Sequence, residues 1–213
     1  MKTDELIEAL ARHAEPVPAS SAVPRLTFGS LLGIAAAVPL MLMLLGVNPE
    51  LTEDARVPMF WVKALFVASI ALASWVAVRR LAQPGASARR PAWAVATPFV
   101  LMAALAAAVL VSAPPDARMS LVIGSSWQSC PVNITLLSLP ALVLLLATAR
   151  SLAPTRPRLA GGAIGLLAGS LGTLVYLLHC PELQAPFVAT WYVLGMAIPA
   201  VLGALVGRRA LAW

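Results

Sequence analysis

Apolar residues run along this chain in six long blocks, separated by short polar stretches rich in proline, glycine and arginine. The blocks span approximately Leu26–Val47, Phe60–Val78, Ala92–Ser112, Pro131–Ala149, Leu159–Leu178 and Phe187–Val206. Each reaches the length of about 20 residues that a helix needs to cross the hydrocarbon core of a bilayer. A membrane barrel would instead show shorter segments of alternating polarity. The breaks read NPELTEDARVP, RRLAQPGASARRP, SAPPDARMS, RSLAPTRPR and HCPELQAP. The pattern predicts an all-α integral membrane protein with six transmembrane helices in residues 26–213. Residues 1–25 form a separate leading segment. No small-residue cleavage signal stands at a suitable distance from the first block, which therefore reads as a retained helix rather than a removed signal peptide.

Composition agrees with that phase assignment. The 213 residues are 60% hydrophobic and 11% charged, whereas a soluble domain carries roughly 25% charged residues. A globule of this size exposes too much of its surface to hide so much apolar sequence. The formal charge of +6 would raise nucleic acid as a partner, but the placement of the basic residues explains it otherwise. Lys2, Arg12 and Arg25 precede the first block, and Arg79, Arg80, Arg89 and Arg90 fill the second break. Arg150, Arg156 and Arg158 fill the fourth, and Arg208 and Arg209 end the last block. The odd breaks hold only Arg56 and Arg118, with Lys63 just inside the second block. The excess of positive residues on cytoplasmic loops then predicts that both termini are cytoplasmic. No direct nucleic-acid contact is expected.

That topology puts both cysteines on the outer side, an oxidising compartment in a bacterium-like cell. Each stands in a Cys-Pro dipeptide where polar sequence meets apolar: Cys130 in SSWQSCPVNITLL and Cys180 in YLLHCPELQAPF. Pro131 suits the first turn of a helix, and Pro181 marks the end of the fifth span. A shared depth permits pairing, though spacing alone does not bring two Cα atoms within about 7 Å. Three readings stay open: packing residues, a permanent disulfide, or a redox- or metal-responsive pair. His179 could join the thiols around a soft metal, with Glu182 either near it or merely solvated. A fourth ligand is lacking, so no metal site and no cofactor are predicted, and the absence of CxxC counts against a thioredoxin-like dithiol.

Other candidate chemistry is sparse. Lys63, following PMFW, is read as snorkelling outward to water. Phe60, Trp61, Trp127, Trp191 and Tyr192 are read as interfacial aromatics, the last two being those that could lie deeper. Asn133 and Thr135 are candidates for hydrogen bonds between helices. Gly161, Gly165 and Gly169 recur at every fourth position, which permits close helix packing within one chain or between two copies.

The leading segment, MKTDELIEALARHAEPVPASSAVPR, predicts a short amphipathic helix. Thr3 can cap it, and Asp4, Glu5 and Glu8 suit the positive end of its dipole. Leu6, Ile7, Leu10 and Ala14 form an apolar stripe, and Pro16 and Pro18 end it. So short a helix cannot bury its own stripe. Its acidic face disfavours anionic lipid, and a protein partner with an apolar groove and a basic rim fits it better.

The elements MKTDELIEALA, FWVK, LAPTRPRLAGGAIGLLAGSLGTLVYLLHCPE and FVATWY together resemble the NrsF-type family of bacterial membrane regulators. These are negative regulators of extracytoplasmic-function sigma factors. The resemblance extends over nearly the whole chain; TRPRLAG, HCPE and WY are its specific parts. It implies a six-helix protein of the bacterial inner membrane, an anti-sigma factor rather than an enzyme. It implies that the sigma factor is held by the N-terminal segment, here Asp4, Glu5, Leu6, Ile7, Glu8 and Leu10. It also implies that the outward cysteines, Cys130 and Cys180, with His179 a possible contributor, report oxidative or metal stress. The expected partners are such a sigma factor and the bilayer, and a homo-oligomer remains open. A small transporter or channel is the alternative, disfavoured by the near absence of charge in the spans. A membrane thiol oxidoreductase is a more distant one.

Overall fold

The apolar blocks form six long helices, in a computed structural model that describes Glu8 and residues 22–82, 89–150 and 154–211. They are α1 (Ala22–Leu44), α2 (Pro58–Leu81), α3 (Arg89–Ser112), α4 (Ser129–Arg150), α5 (Pro157–Tyr176) and α6 (Ala185–Ala210). All six are long and apolar enough to cross a membrane, so the chain is a multi-pass membrane protein. Among the described residues there is no strand. Glu8 is helical and exposed. The expectations for Asp4, Glu5, Leu6, Ile7 and Leu10 lie outside the described residues.

The helices run past the ends of the apolar blocks for an electrostatic reason. α2 continues through Arg79 and Arg80, α4 through Arg150, and α6 through Arg208 and Arg209. Hydropathy falls at an arginine, but a positive side chain suits the negative end of the helix dipole. The third break also holds more structure than its proline-rich start suggests. Pro115–Ile123 is a helix with proline in its first turn and Asp116 behind it, both of which are start signals.

Alternation of the spans gathers one set of connections at each end of the bundle. The stretches 45–57, 113–128 and 177–184 share one end with both cysteines. The arginine-rich connections share the other. The helix at the centre is α5, whose hydrophobic window is 72% buried, while that of α3 is 11% buried. α5 packs on α6, α4, α2 and α1, whereas α3 leans mainly on α2 and the start of α6.

Small residues allow α5 its central place. A methyl on Gly161 would overlap the Gly203 carbonyl oxygen, and one on Gly165 would overlap that of Pro199. A methyl on Gly169 would come 3.1 Å from the Met196 Cα. Gly203 and Gly207 return the contact from α6, where a methyl on Gly207 would lie 2.8 Å from the Gly161 Cα. The four-residue spacing is therefore used within one chain, between α5 and α6. On another face, a methyl on Gly172 would come 2.7 Å from the Ser138 backbone nitrogen of α4.

Four hydroxyls inside the bundle bond to their own helices. Thr135 donates to the Pro131 carbonyl, Ser138 to Thr135, Ser170 to Leu167 and Thr173 to Gly169. Thr135 thus does not bond to a neighbouring helix as expected from sequence, because the carbonyl four residues back satisfies it first.

The glycine contacts lead to one expected outcome. Gly165→Ala forces backbone apart in the α5–α6 seam and destabilises the bundle by about 1–3 kcal/mol, whereas Gly46→Ser, where nothing lies within 4 Å, acts only through its backbone. Denaturant titration in mixed micelles, followed by helicity, measures the Gly165→Ala effect; an unchanged midpoint would contradict the close seam.

Candidate functional site

The cysteine end is organised around the connection between α5 and α6. The chain leaves α5 in a last turn, with the His179 and Cys180 amides both donating to the Tyr176 carbonyl. Pro181 has no amide to extend that turn. Carbonyls on either side of it therefore take donors from elsewhere, and neighbouring segments are bonded to the connection. The Asn48 amide donates to the Leu178 carbonyl at 2.9 Å. His179 Nδ1 lies 3.0 Å from the Gly46 carbonyl. A carbonyl only accepts, so Nδ1 carries the proton. That bond ties His179 to the first connection rather than to a thiol.

Lys63, from the first turns of α2, supplies the next two bonds. Its Nζ donates to the Cys180 carbonyl at 3.1 Å and the Glu182 carbonyl at 3.0 Å. It also lies 5.5 Å from the centre of the Tyr192 ring and 5.8 Å from that of Phe60. The side chain is wholly buried. The snorkelling expectation is thus corrected: the ammonium does rise toward the cysteine end, but it meets protein carbonyls and ring faces before water. Proline at residue 181 leaves a non-helical segment whose carbonyls the Lys63 amino group can reach.

Glu182 holds the third connection. Its Oε1 accepts from the Ser125 amide at 2.6 Å and the Ser125 hydroxyl at 2.7 Å. Gly124 makes room for this. It has φ of +59°, and a methyl there would lie 2.8 Å from Glu182 Oε1. Glu182 is therefore a structural clamp rather than a solvated charge. Trp191 adds a second tie by donating from its ring to the Val122 carbonyl at 2.8 Å, and its ring rests against Trp127.

The two thiols meet beneath these clamps. Cys130 enters from the first turn of α4 and Cys180 from the α5–α6 connection; both are free and buried. Their side chains are within hydrogen-bonding contact. The Cys180 thiol is held below its ordinary range, chiefly by the hydrogen bond from Cys130. Tyr192, the Lys63 ammonium and the Glu182 backbone push in the same direction, against the effect of burial.

Tyr192 belongs to this core and not to an interfacial belt. It is wholly buried, and its hydroxyl has no partner of ordinary hydrogen-bond geometry. Trp61 does sit outward, 62% exposed, with its ring nitrogen donating to the Ala55 carbonyl. Tyr192 is turned inward by a single wide π-helical turn, Val188–Tyr192, near the start of α6. Such turns are uncommon and cluster at functional sites. Sequence reasoning thus singled out Cys130, Cys180 and His179, named Lys63, Glu182 and Tyr192 without giving them these roles, and missed Ser125. One available signal was Lys63 itself, since an ionisable residue within a span is a functional candidate by default.

The clamp makes Glu182→Ala informative. Its removal frees the Ser125 amide and hydroxyl, and should lower stability by about 1–2 kcal/mol, given that this contact is exposed. A membrane-impermeant maleimide should then label Cys180 faster than in the unaltered protein. Equal labelling rates would show that the connection is held without the clamp.

Residues 10–213 match the family model described as "NrsF: Negative regulator of sigma F". The chain is 47% identical over 213 residues to the "Probable anti-sigma-F factor NrsF" of Azospira oryzae (strain ATCC BAA-33 / DSM 13638 / PS), with 100% of both chains covered. It is 41% identical over 219 aligned positions to the "Anti-sigma-F factor NrsF" of Caulobacter vibrioides (strain NA1000 / CB15N), again with 100% of each covered. No solved structure matches the chain.

Proposed function

The chain belongs to the family of negative regulators of sigma F, and from that premise we propose that it is a membrane-bound anti-sigma factor that sequesters an extracytoplasmic-function sigma factor. Full-length similarity to two anti-sigma-F factors is the observation that carries this reading. Its role is regulatory rather than enzymatic. The protein lies in the bacterial inner membrane with both termini in the cytoplasm. The asymmetry of arginines supports that orientation, with Arg79, Arg80, Arg150, Arg156, Arg158, Arg208 and Arg209 at one end and only Arg56 and Arg118 at the other.

The N-terminal segment is the effector. Its stripe of Leu6, Ile7 and Leu10, flanked by Asp4, Glu5 and Glu8, covers part of the sigma factor and keeps it from RNA polymerase. The cysteine end is the input. Oxidant or metal stress at Cys130 and Cys180 alters the packing of the connection between α5 and α6. Contact between the thiols, and the bonds that fasten the connection to three other segments, support this role. Moving a partner from almost fully bound to almost fully free requires about 5.5 kcal/mol of differential affinity. One disulfide supplies about 2–4 kcal/mol, so a single thiol event gives partial release.

Two measurements check this reading. Leu6→Asp with Leu10→Asp should abolish co-purification of the sigma factor with the membrane protein while leaving its level in the membrane unchanged. Undiminished co-purification would place the contact on the arginine-rich connections instead. Reporter fusions after Asp54, Asp116 and Gln184 should score as periplasmic, and those after Ala86, Pro154 and Trp213 as cytoplasmic; a clear inversion at any one breaks the orientation.

A further inference from the structure

The two thiols occupy different chemical settings. Cys130 is on a regular helix, with its amide paired to the Ser126 carbonyl, and its side chain is wholly buried. Cys180 is on an irregular segment, at 2% exposure. Its own carbonyl is one of the two oxygens that hold the Lys63 ammonium. The groups around Cys180 are Lys63 from α2, Cys130 from α4, Tyr176 from α5, Tyr192 from α6 and Glu182 in its own segment, with Asp54 beyond Lys63. Lys63 is the sole cation of this set. The two tyrosines and Cys130 are neutral donors, and the Glu182 carboxylate is occupied by Ser125.

Accordingly, we propose that Cys180 is the thiol that attacks the oxidant, that Lys63 and Tyr192 position and neutralise its sulfur for that attack, and that Cys130 is the resolving thiol. This rests on the reading of the cysteines as the sensing pair and assigns each a separate task. Lys63 and Tyr192 are positioning residues for that chemistry. The positive end of α4 favours negative charge on either sulfur of the contact, so it does not choose between them. The Lys63 amino group acts on both sulfurs, but its bond to the Cys180 carbonyl fixes it to the Cys180 segment. The buried Tyr192 hydroxyl, which has no hydrogen-bond partner of ordinary geometry, adds to the same side.

The reaction partner is a hydroperoxide. The Cys180 thiolate attacks its terminal oxygen; an S–O bond forms, the O–O bond breaks, and the departing oxygen takes a proton from water. Cys180 is oxidised by two electrons to the sulfenic acid and the peroxide is reduced by two. The Cys130 sulfur then attacks that of Cys180. An S–S bond forms, the S–O bond breaks, and the Cys130 proton leaves with the hydroxide as water. The disulfide removes the negative charge facing Lys63.

Single-cysteine forms of the full protein in membrane vesicles test the order. Cys130→Ser retains Cys180, and Cys180→Ser retains Cys130. Each is treated with hydrogen peroxide and a dimedone probe, and the adduct is followed by mass spectrometry. At neutral pH the Cys180 adduct should form at least about tenfold faster than the Cys130 adduct, corresponding to one pKa unit or more between them. In the Cys130→Ser background, Lys63→Met should move the midpoint of the rate–pH profile up by about one unit or more, and Tyr192→Phe should move it in the same direction by less. A merely structural role for Lys63 would change amplitude and leave that midpoint in place. If Lys63→Met does not insert, Tyr192→Phe, which keeps the ring, decides the matter. Equal or faster labelling of Cys130, or midpoints unmoved in every variant that inserts, overturns the assignment while the sensing pair stands. Failure of either thiol to oxidise overturns both. Sigma-factor binding plays no part in the readout, so the anti-sigma reading is judged separately.

Discussion

One buried ammonium organises the cysteine end. Lys63 has left water entirely, and an unpaired cation in such a place costs several kcal/mol even after the surroundings relax. Its two bonds to the Cys180 and Glu182 carbonyls offset much of that cost, each worth about 1.5–3 kcal/mol as hydrogen bonds to a charged group. The dependence is mutual. Pro181 denies that segment a helical continuation, so the same carbonyls would otherwise be left without donors. The path of residues 180–182, and with it the position of the Cys180 sulfur, follows from where the lysine can reach.

The second constraint is steric and lies deeper in the bundle. Glycines along α5 and α6 let the two backbones approach until a methyl group will not fit. A seam of that kind favours a discrete fit and resists gradual sliding, because close-packed interiors transmit displacement instead of absorbing it. α5 carries the cysteine connection at one end and the arginine end at the other. The helix that bears the thiol connection is therefore also the one most tightly meshed with its neighbours.

Much of this was legible in the chain. Continuous apolar runs of spanning length set the number of helices and their approximate limits, because a bilayer leaves few alternatives for backbone that must satisfy itself. The spacing of Gly161, Gly165 and Gly169 announced a close contact, but helical periodicity says which face is small and not what lies against it. Cys130 and Cys180 were singled out by scarcity and by their matching Cys-Pro settings. Lys63 was misread because snorkelling is the usual fate of a lysine near the end of a span, and nothing local reveals two unsatisfied carbonyls about 120 residues downstream. Tyr192 was left between belt and interior for a related reason: its neighbour Trp191 makes the dipeptide look interfacial, and the wide turn that redirects it has no reliable sequence signature.

That wide turn has a consequence for helix phase. A π-helical turn takes one surplus residue into the helix, so everything beyond it keeps the angular setting of a shorter chain. Near the start of α6, Tyr192 faces the thiols; farther along, Gly203 and Gly207 face α5. One inserted or lost residue in a regular helix rotates the two halves by about 100° relative to each other. Val188–Tyr192 is thus a rotational adjustment between two faces with independent requirements. It is also the stretch of α6 where a change of length by one residue could be accommodated by relaxing the turn, without setting the glycine seam and the thiol face at odds.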